Sequence, residues 1–129
     1  MKISATILAA GQSSRMEDDN KLLLPINEAP MISHVCKTVL AAGLDPVVVV
    51  TGFESDLVTQ AIPTVINEII YNSYWRSGMA SSIYEGLSAL PQNVAGNMIV
   101  LGDMPMISKD TLILLMDEFI AQSGQHIIY

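Results

Sequence analysis

Short apolar runs alternate with helical repeats along almost the whole chain. The apolar runs end at turn residues and lie at 3–9, 46–50, 65–70 and 98–102. Runs of this length are typical of strands that are buried on both faces of a sheet. Between them, apolar residues recur at the spacing of amphipathic helices. This order of elements predicts an α/β fold, with a mostly parallel sheet covered by helices on both faces.

The predicted helices carry recognisable end signals. Their apolar stripes occupy 31–40, 57–62, 79–90 and 112–120. The first follows Pro30 and precedes Gly43, a residue suited to a left-handed C-terminal cap. The second and third stop at Pro63 and Pro91, and Ser108 is placed as the N-cap of the fourth.

The composition is that of one acidic domain. The chain has 129 residues, of which 50% are hydrophobic, and a length of this order suits a single compact core. Six basic against thirteen acidic residues give a net charge of -7, which argues against a nucleic-acid partner. No apolar run approaches the roughly 20 residues of a membrane span. The single cysteine, Cys36, cannot form an internal disulfide, and we expect a cytoplasmic protein without a membrane partner.

The loop after the first predicted strand is rich in groups that bind phosphate. Gly11 allows close approach of a ligand to the backbone, and Ser13 and Ser14 add hydroxyl donors. Arg15 offers a bidentate donor and Lys21 a point charge. The alternative is an ordinary polar surface loop. Because binding sites of parallel sheets lie at the carboxyl ends of the strands, this loop is the first candidate site.

The distribution of positive charge favours the phosphate-binding interpretation. Of the six basic residues, Arg15, Lys21 and Arg76 fall in the first two loops at predicted strand ends. Two common phosphate motifs are excluded. Gly11 stands alone, without the further glycines of G-x-G-x-x-G, and Lys21 is not preceded by a second glycine as in a P-loop.

A carboxylate follows the last predicted strand. Asp103 stands directly after the apolar run, in the sequence LGDMP. A charge at this position needs a partner, and Mg²⁺ bridging the carboxylate to ligand phosphates would supply one. The alternative is a carboxylate that accepts hydrogen bonds from nearby backbone amides.

The loop YNSYWRSGMASSI, at 71–83, joins aromatic and small polar residues. Asn72 could read the edge of a base, and hydroxyl groups that open a helix, Ser81 and Ser82, can face a ligand. The alternative is that both serines only cap the helix. For Trp75 we expect a place in a small satellite cluster of the core.

Four segments together resemble a known family. LAAGQSSRM, NKLLLP, NSYWRSGMASSI and LGDMP, in this order and spacing, are similar to the MobA-like nucleotidyltransferases, and most closely to their molybdenum cofactor cytidylyltransferase branch. The resemblance covers essentially all 129 residues. It implies one domain, 1–129, with a three-layer Rossmann-like nucleotidyltransferase fold whose C-terminal part is missing, because relatives continue further.

The resemblance also implies an activity and a set of site residues. The enzyme would move a nucleoside monophosphate, CMP from CTP, to the phosphate of a pterin cofactor with Mg²⁺ and release pyrophosphate. Arg15, Lys21 and Asp103 would be catalytic, with Asp103 carrying the metal. The segments implied to bind the nucleotide comprise Leu8, Ala9, Ala10, Gly11, Gly78, Ser81 and Ser82. Ser13, Ser14 and Asn72 join them as candidates from their chemistry.

Two departures and several alternatives accompany this prediction. Where the family often has glycine, the chain has Glu17, next to two further acids, and it ends at QHIIY, which resembles the start of a strand. We expect association through that exposed strand. Alternative activities are transfer from GTP or to a sugar or polyol phosphate, and a non-catalytic nucleotide-binding fragment. His34, Cys36 and His126 are expected to be structural.

Overall fold

A computed structural model describes residues 2–11, 20–104 and 106–122. Within these ranges the elements, in chain order, are β1 (Ile3–Ala9), β2 (Pro25–Ile26), β3 (Ala29–Pro30), α1 (Met31–Ala41), β4 (Val47–Thr51), α2 (Ser55–Gln60), β5 (Glu68–Tyr71), α3 (Met79–Ser88), β6 (Gly96–Leu101) and α4 (Lys109–Ala121). Two short 3-10 helices, Lys21–Leu23 and Trp75–Ser77, precede α1 and α3. The predicted residues Ser13, Ser14, Arg15 and His126, and the final strand, lie outside the described residues.

Four strands form one parallel sheet in the order β5-β4-β1-β6. β2 and β3 make a separate antiparallel hairpin. The predicted α/β fold with a mostly parallel sheet is therefore confirmed. The chain adds strands on one side of β1 and then crosses to its other side with β6. Such a reversal opens a crevice at the carboxyl ends of the strands.

The sheet separates two helical layers. One face of β1, which includes Ala5 and Ile7, packs in the main core with residues of α1, α2 and α4. On the opposite face, Thr6 and Val50 lie against Gly86 of α3. Alternate side chains of a strand point to opposite faces, so the near-continuous apolar strands serve both layers. The buried residues of the main core are Ile3, Ala5, Ile7, Ala9, Leu22, Ile32, Val35, Cys36, Val39, Ala42, Leu44, Val47, Val49, Val58, Ile62, Ile66, Val100 and Leu112.

The helix signals read from the sequence are largely confirmed. Ser108 caps α4, since its Oγ accepts a hydrogen bond from the Thr111 N–H at 3.1 Å. Gly43 follows α1 with a φ of 89°, and its N–H donates to the Leu40 carbonyl. None of the described helices combines the length and apolar character that a membrane crossing requires.

The third strand of the sequence prediction begins too early. The predicted strand covered 65–70, whereas β5 begins at Glu68. Before it, the chain turns after Pro63, and the Asn67 side chain accepts a hydrogen bond from the Val47 N–H at 2.7 Å. Val65 is exposed as a result. Apolarity marked a strand here but could not separate it from the turn that precedes it. β5 lies at the edge of the sheet with three of its four residues exposed, so the prediction of a strand buried on both faces was wrong for this segment.

The two described residues expected to be structural have structural surroundings. Cys36 is fully buried on α1, and burial raises the pKa of its thiol to about 12, which keeps it protonated and unreactive. The half-buried His34 ring lies in hydrogen-bond contact with the Ile26 carbonyl of the β2–β3 hairpin. Both side chains therefore serve packing and connection of α1.

Candidate functional site

The candidate site lies where β1 and β6 end side by side. Leu8 of β1 pairs in register with Leu101 of β6, so the loops that follow these two strands meet at the same edge of the sheet. This edge is the crevice that the strand order predicts. A cavity of about 300 Å³ opens there, a volume at the lower end of the range for small-molecule sites. Its lining residues are Leu8, Ala9, Ala10, Gly11, Asn20, Lys21, Leu22, Trp75, Gly78, Met79, Ser82, Leu101 and Asp103.

The backbone that leaves β1 forms one wall of the cavity. The carbonyl of Leu8 accepts from the Gly102 N–H at 2.9 Å, and the carbonyl of Ala10 accepts from the Phe53 N–H at 2.9 Å. These bonds hold residues 8–10 to the segment after β6 on one side and to the segment after β4 on the other. A Cβ placed on Gly11 would meet no described atom within 4 Å. The predicted residues 8–11 therefore do line a cavity, with open space beside Gly11.

Lys21 and Asp103 meet across the cavity although 82 positions separate them in the chain. The Lys21 Nζ lies 3.9 Å from the Asp103 Oδ2, and both side chains are nearly half exposed, at 43% and 46%. An exposed pair of this kind adds about 0–1 kcal/mol to stability. Both charges are therefore accessible to a ligand, and the pair contributes little to the fold.

The 3-10 turn Lys21–Leu23 fixes the start of the Lys21 side chain. Asn20 caps this turn, since its Oδ1 accepts from the Leu22 N–H at 3.0 Å. Leu22 is buried and contacts the turn that carries Asp103, where its Cδ2 would be 3.1 Å from a Cβ on Gly102. The two charged residues are thus mounted on turns that pack on each other.

The residues at this edge fit a magnesium ion that is held mainly by a ligand. Within the described part of the chain, no three His, Cys, Asp or Glu side chains come together as a metal cage. Mg²⁺ usually takes one or two carboxylates and completes its shell with water and substrate phosphates. Asp103 is an exposed carboxylate whose partner in the described chain is Lys21. Asp103 can therefore supply the one protein ligand that such an ion needs.

Asn72 is the centre of a buried hydrogen-bond network. Its Nδ2 donates to the Ser81 Oγ at 2.9 Å and to the Ser82 Oγ at 3.0 Å. Its Oδ1 accepts from the Tyr74 N–H at 2.9 Å. Asn72 is 1% exposed and does not line the cavity. Reading of a base edge by Asn72 does not fit this geometry, because all its polar atoms are already used; Asn72 instead joins β5 to the first turn of α3.

We expect replacement of Asn72 with Ala to lower the free energy of unfolding by about 2–3 kcal/mol, because several partly buried hydrogen bonds are lost together. Chemical denaturation of the variant and the parent protein measures this difference. A variant of unchanged stability that had lost nucleotide affinity would instead support direct contact between Asn72 and a base.

Gly78 and Ser82 place the start of α3 in the cavity wall. Gly78 has φ 112° and ψ 178°, a backbone conformation that residues other than glycine rarely adopt. Ser82 lines the cavity and is 4% exposed, whereas Ser81 is directed to the Gly78 carbonyl at 2.7 Å and lies outside the lining. The structure thus separates the two predicted serines, and Ser82 is the one that faces the cavity.

Trp75 belongs to the cavity wall as well as to an aromatic cluster. It packs edge to face on Phe53, with ring centroids 5.5 Å apart, and the Arg76 guanidinium lies 4.9 Å from the indole centroid. A Cβ on Gly52 would come within 2.5 Å of the Trp75 Cβ, so this close contact requires glycine. The aromatic packing expected for Trp75 is present. The same indole also lines the cavity.

Five lining residues were not predicted as site residues: Asn20, Leu22, Trp75, Met79 and Leu101. Asn20 and Met79 directly adjoin predicted residues, so a wider window around Lys21 and Gly78 would have included them. Leu22 and Leu101 are apolar residues of a turn and a strand. Nothing in their residue type distinguishes them from core positions.

Comparison with known proteins places the chain in a family. A family model described as a MobA-like NTP transferase domain matches residues 5–129. Among curated proteins, the bifunctional protein GlmU of Geobacillus sp. (strain WCH70) is 30% identical over 126 residues, which are 97% of this chain and 27% of that protein. GlmU of Bartonella quintana (strain Toulouse) is 33% identical over 83% of this chain and 24% of its own. The chain spans about a quarter of the length of these relatives.

Solved structures agree with the family model. A nucleotidyl transferase from Methanothermobacter superposes with a TM-score of 0.82 at 31% identity, over 90% of this chain and 57% of that one. CMP:2-keto-3-deoxy-manno-octonic acid synthetase, solved in complex with CTP, gives a TM-score of 0.79 at 26% identity, over 96% of this chain and 49% of its own. On these matches, and on the family model above all, the chain belongs to the MobA-like NTP transferase domain family.

Proposed function

We propose that this domain binds a nucleoside triphosphate with Mg²⁺ in the cavity and transfers the nucleoside monophosphate to a phosphorylated acceptor. The observation that carries the proposal is the accessible pair of Lys21 and Asp103 at the carboxyl edge of a parallel sheet. A cation for phosphate and a carboxylate for a hard metal ion meet there beside residues 8–11, which line the cavity. Membership of a family of NTP transferase domains supports this assignment.

The proposed reaction needs charge neutralisation and positioning more than a nucleophilic side chain. A phosphate oxygen of the acceptor forms a bond to the α-phosphorus, the bond from that phosphorus to the bridging oxygen breaks, and pyrophosphate leaves with the electron pair. Lys21 would offset the negative charge on the phosphates, and residues 8–11 would hold the nucleotide along the backbone wall. Arg15, Ser13 and Ser14 remain predicted phosphate contacts of the same loop.

The proposed magnesium ion would be held by Asp103 and by the triphosphate. Its chemistry when bound is neutralisation of charge on the phosphate oxygens. Lys21, which contacts Asp103 in this structure, would then turn its ammonium group to the phosphates. The exposed position of both side chains permits this exchange of partners.

CTP is the proposed nucleotide. The similarity of LLLP and GMASSI to the cytidylyltransferase branch supports it, as does the 26% identical synthetase that was solved with CTP. Ser82 adds a physical argument: its Oγ accepts from Asn72, so its own hydroxyl hydrogen is left to donate. Cytosine, uracil and guanine each present a carbonyl oxygen to such a donor, whereas adenine has none. Gly78 would let the base or sugar approach the backbone closely.

The proposed acceptor is the phosphate of the molybdopterin cofactor, which rests on the sequence resemblance. The alternatives are GTP as the donor, and sugar or polyol phosphates as acceptors. Calorimetric titration of the protein with ATP, GTP, CTP and UTP in the presence of Mg²⁺ tests the donor. Pyrophosphate release with each acceptor class tests the transfer. Equal, weak binding of all four triphosphates would contradict the cytidylyl assignment, and binding without acceptor-dependent pyrophosphate release would favour a non-catalytic nucleotide-binding role.

We expect replacement of Ser82 with Ala to weaken CTP binding by about 0.5–1.5 kcal/mol, the usual contribution of one hydrogen bond. Alanine is a good helix former, so α3 should persist, while loss of the acceptor for Asn72 Nδ2 should lower the free energy of unfolding by about 1 kcal/mol. Calorimetry with CTP measures the change, and Ser88→Ala, on the exposed far end of the same helix, is the matched control. Equal CTP affinity of Ser82→Ala and the parent would leave Ser82 with its contact to Asn72 alone.

A further inference from the structure

One side chain in the cavity wall is buried and has a polar atom without a partner. Asn20 is 6% exposed and lines the cavity beside Lys21. Its Oδ1 is used as the cap of the 3-10 turn, in the bond from the Leu22 N–H at 3.0 Å. This bond settles which end of the carboxamide is oxygen. The other end, Nδ2, is buried and has no acceptor among the residues that the structure describes.

A buried amide nitrogen without an acceptor is rare in native proteins and requires an explanation. The described chain contains a second one, the Nδ2 of Asn97. Asn97 lies on β6, where its Oδ1 accepts from Ser4 and Thr6 toward the amino end of β1. Asn97 does not line the cavity. The two residues share the same unpaired group, but only Asn20 carries it at the candidate site.

The chemistry of Asn20 defines what could satisfy it. The Nδ2 is a donor only, so its partner must present an acceptor. Asn20 immediately precedes Lys21, the cationic residue of the cavity lining, and the same turn fixes both. An acceptor that is attracted by Lys21 and rich in oxygen lone pairs is an anion such as a carboxylate or a phosphate, and the proposed triphosphate ligand supplies phosphate oxygens. A neutral sugar hydroxyl could accept the hydrogen bond from Nδ2, but it would not be attracted by the charge of Lys21.

We propose that Asn20 is a nucleotide-binding residue whose side-chain amide donates to a phosphate oxygen of the triphosphate, next to Lys21. This inference rests on the proposed function and gives Asn20 a role that neither the charge pattern nor the resemblance of the NKLLLP segment assigned to it. In this arrangement one side chain has two uses. The oxygen of Asn20 orders the turn that carries Lys21, and the nitrogen contacts the ligand that Lys21 attracts.

Two substitutions separate the capping oxygen from the donating nitrogen. Asn20→Ser and Asn20→Asp both keep a good capping acceptor for the Leu22 N–H. Asn20→Asp has no donor, and Asn20→Ser has only the hydroxyl hydrogen of a shorter side chain, which does not extend to the position of Nδ2. We expect Asn20→Ser to weaken binding of CTP with Mg²⁺ by about 10- to 100-fold, as for a hydrogen bond to a charged group. We expect Asn20→Asp to weaken it further, because its carboxylate repels phosphate. Inorganic tripolyphosphate should show the same order of losses, since the contact requires no base or sugar.

Asn97→Ser is the matched control. It removes the other unpaired amide, near Ser4, which lies about 13 Å along β1 from Leu8 at the usual rise per residue of a strand. Its affinity for CTP and for tripolyphosphate should equal that of the parent. Chemical denaturation of all three variants shows whether each is folded under the conditions of the titration.

A second measurement keeps the test independent of the variants. In the ¹⁵N-labelled parent protein, the side-chain amide signal of Asn20 should shift on addition of tripolyphosphate, while that of Asn97 should not. Parent-like affinity of Asn20→Ser, or an unmoved Asn20 signal at saturation, would overturn the Asn20 assignment and leave the proposed function intact. A parent protein that binds neither the four triphosphates nor tripolyphosphate would overturn both. Loss with CTP but not with tripolyphosphate would place the contact on the nucleoside and overturn the phosphate assignment.

Discussion

Replacing Asp103 with Asn is expected to lower Mg²⁺-dependent nucleotide binding and turnover by about 100-fold or more. The amide keeps the shape of the side chain but removes the negative charge that a hard divalent cation requires. Among the described residues that line the cavity, Asp103 is the only carboxylate. Titration of Mg²⁺ at fixed CTP concentration measures the effect directly.

The fold should not suffer from this substitution. Asp103 is 46% exposed, and its contact with Lys21 is a surface ion pair of little energetic weight. Asp117→Asn, an exposed acid on α4, changes the net charge equally and is the matched control. If the Mg²⁺ titration of Asp103→Asn overlays that of the parent and of Asp117→Asn, Asp103 has no role in holding the metal ion.

Much of the fold was predictable because its signals are local. The strand β1 was marked by a mostly apolar run, and the helix α4 by its apolar stripe and the cap Ser108. Neither signal depends on distant parts of the chain. The start of β5 was not predictable. It depends on the contact between the Asn67 side chain and the Val47 N–H, which joins residues 20 positions apart. The β2–β3 hairpin of two-residue strands is too short to produce a periodic pattern.

The candidate site was predictable where chemistry alone singles out a residue. Lys21 and Asp103 are charges in an acidic chain with few cations; Asp103 directly follows an apolar run, and Lys21 ends the polar loop that follows the first predicted strand. Their meeting at the cavity follows from the topology. The role of Asn72 was not predictable. Its side-chain amide forms hydrogen bonds with Ser81, Ser82 and Tyr74, and only the three-dimensional arrangement reveals these contacts.

Trp75 and Asn20 were not predicted as site residues, although both line the cavity. Both look ordinary in the sequence, one as an aromatic core residue and the other as a polar turn residue. Their place in the cavity wall depends on the packing of Gly52 under the indole and on the capping bond within the Lys21–Leu23 turn. Residue type reports the chemistry available to a side chain. The orientation of that side chain in the folded protein depends on tertiary contacts.

Replacing Lys21 with Ala is expected to weaken binding of the triphosphate by about 1.5–3 kcal/mol, or roughly 10- to 150-fold, because a charge-assisted contact to phosphate is lost. The free energy of unfolding should change by no more than about 1 kcal/mol, since the Lys21 side chain is 43% exposed and its ion pair with Asp103 is weak. Calorimetry with CTP and chemical denaturation measure the two effects separately.

The dependence of binding on salt gives this prediction a second test. A contact between an exposed ammonium group and phosphate is screened as ionic strength rises, so the ratio of parent to Lys21→Ala affinities should shrink between 50 mM and 500 mM salt, concentrations at which the Debye length falls from about 14 to about 4 Å. Lys37→Ala, which removes an exposed lysine from α1, is the control for net charge. If Lys37→Ala loses as much affinity as Lys21→Ala, the effect reflects the overall field of an acidic protein and not a phosphate contact. A salt-dependent loss confined to Lys21 would mean that the cation at the carboxyl edge of the sheet acts on the ligand at short range, as the proposed reaction requires.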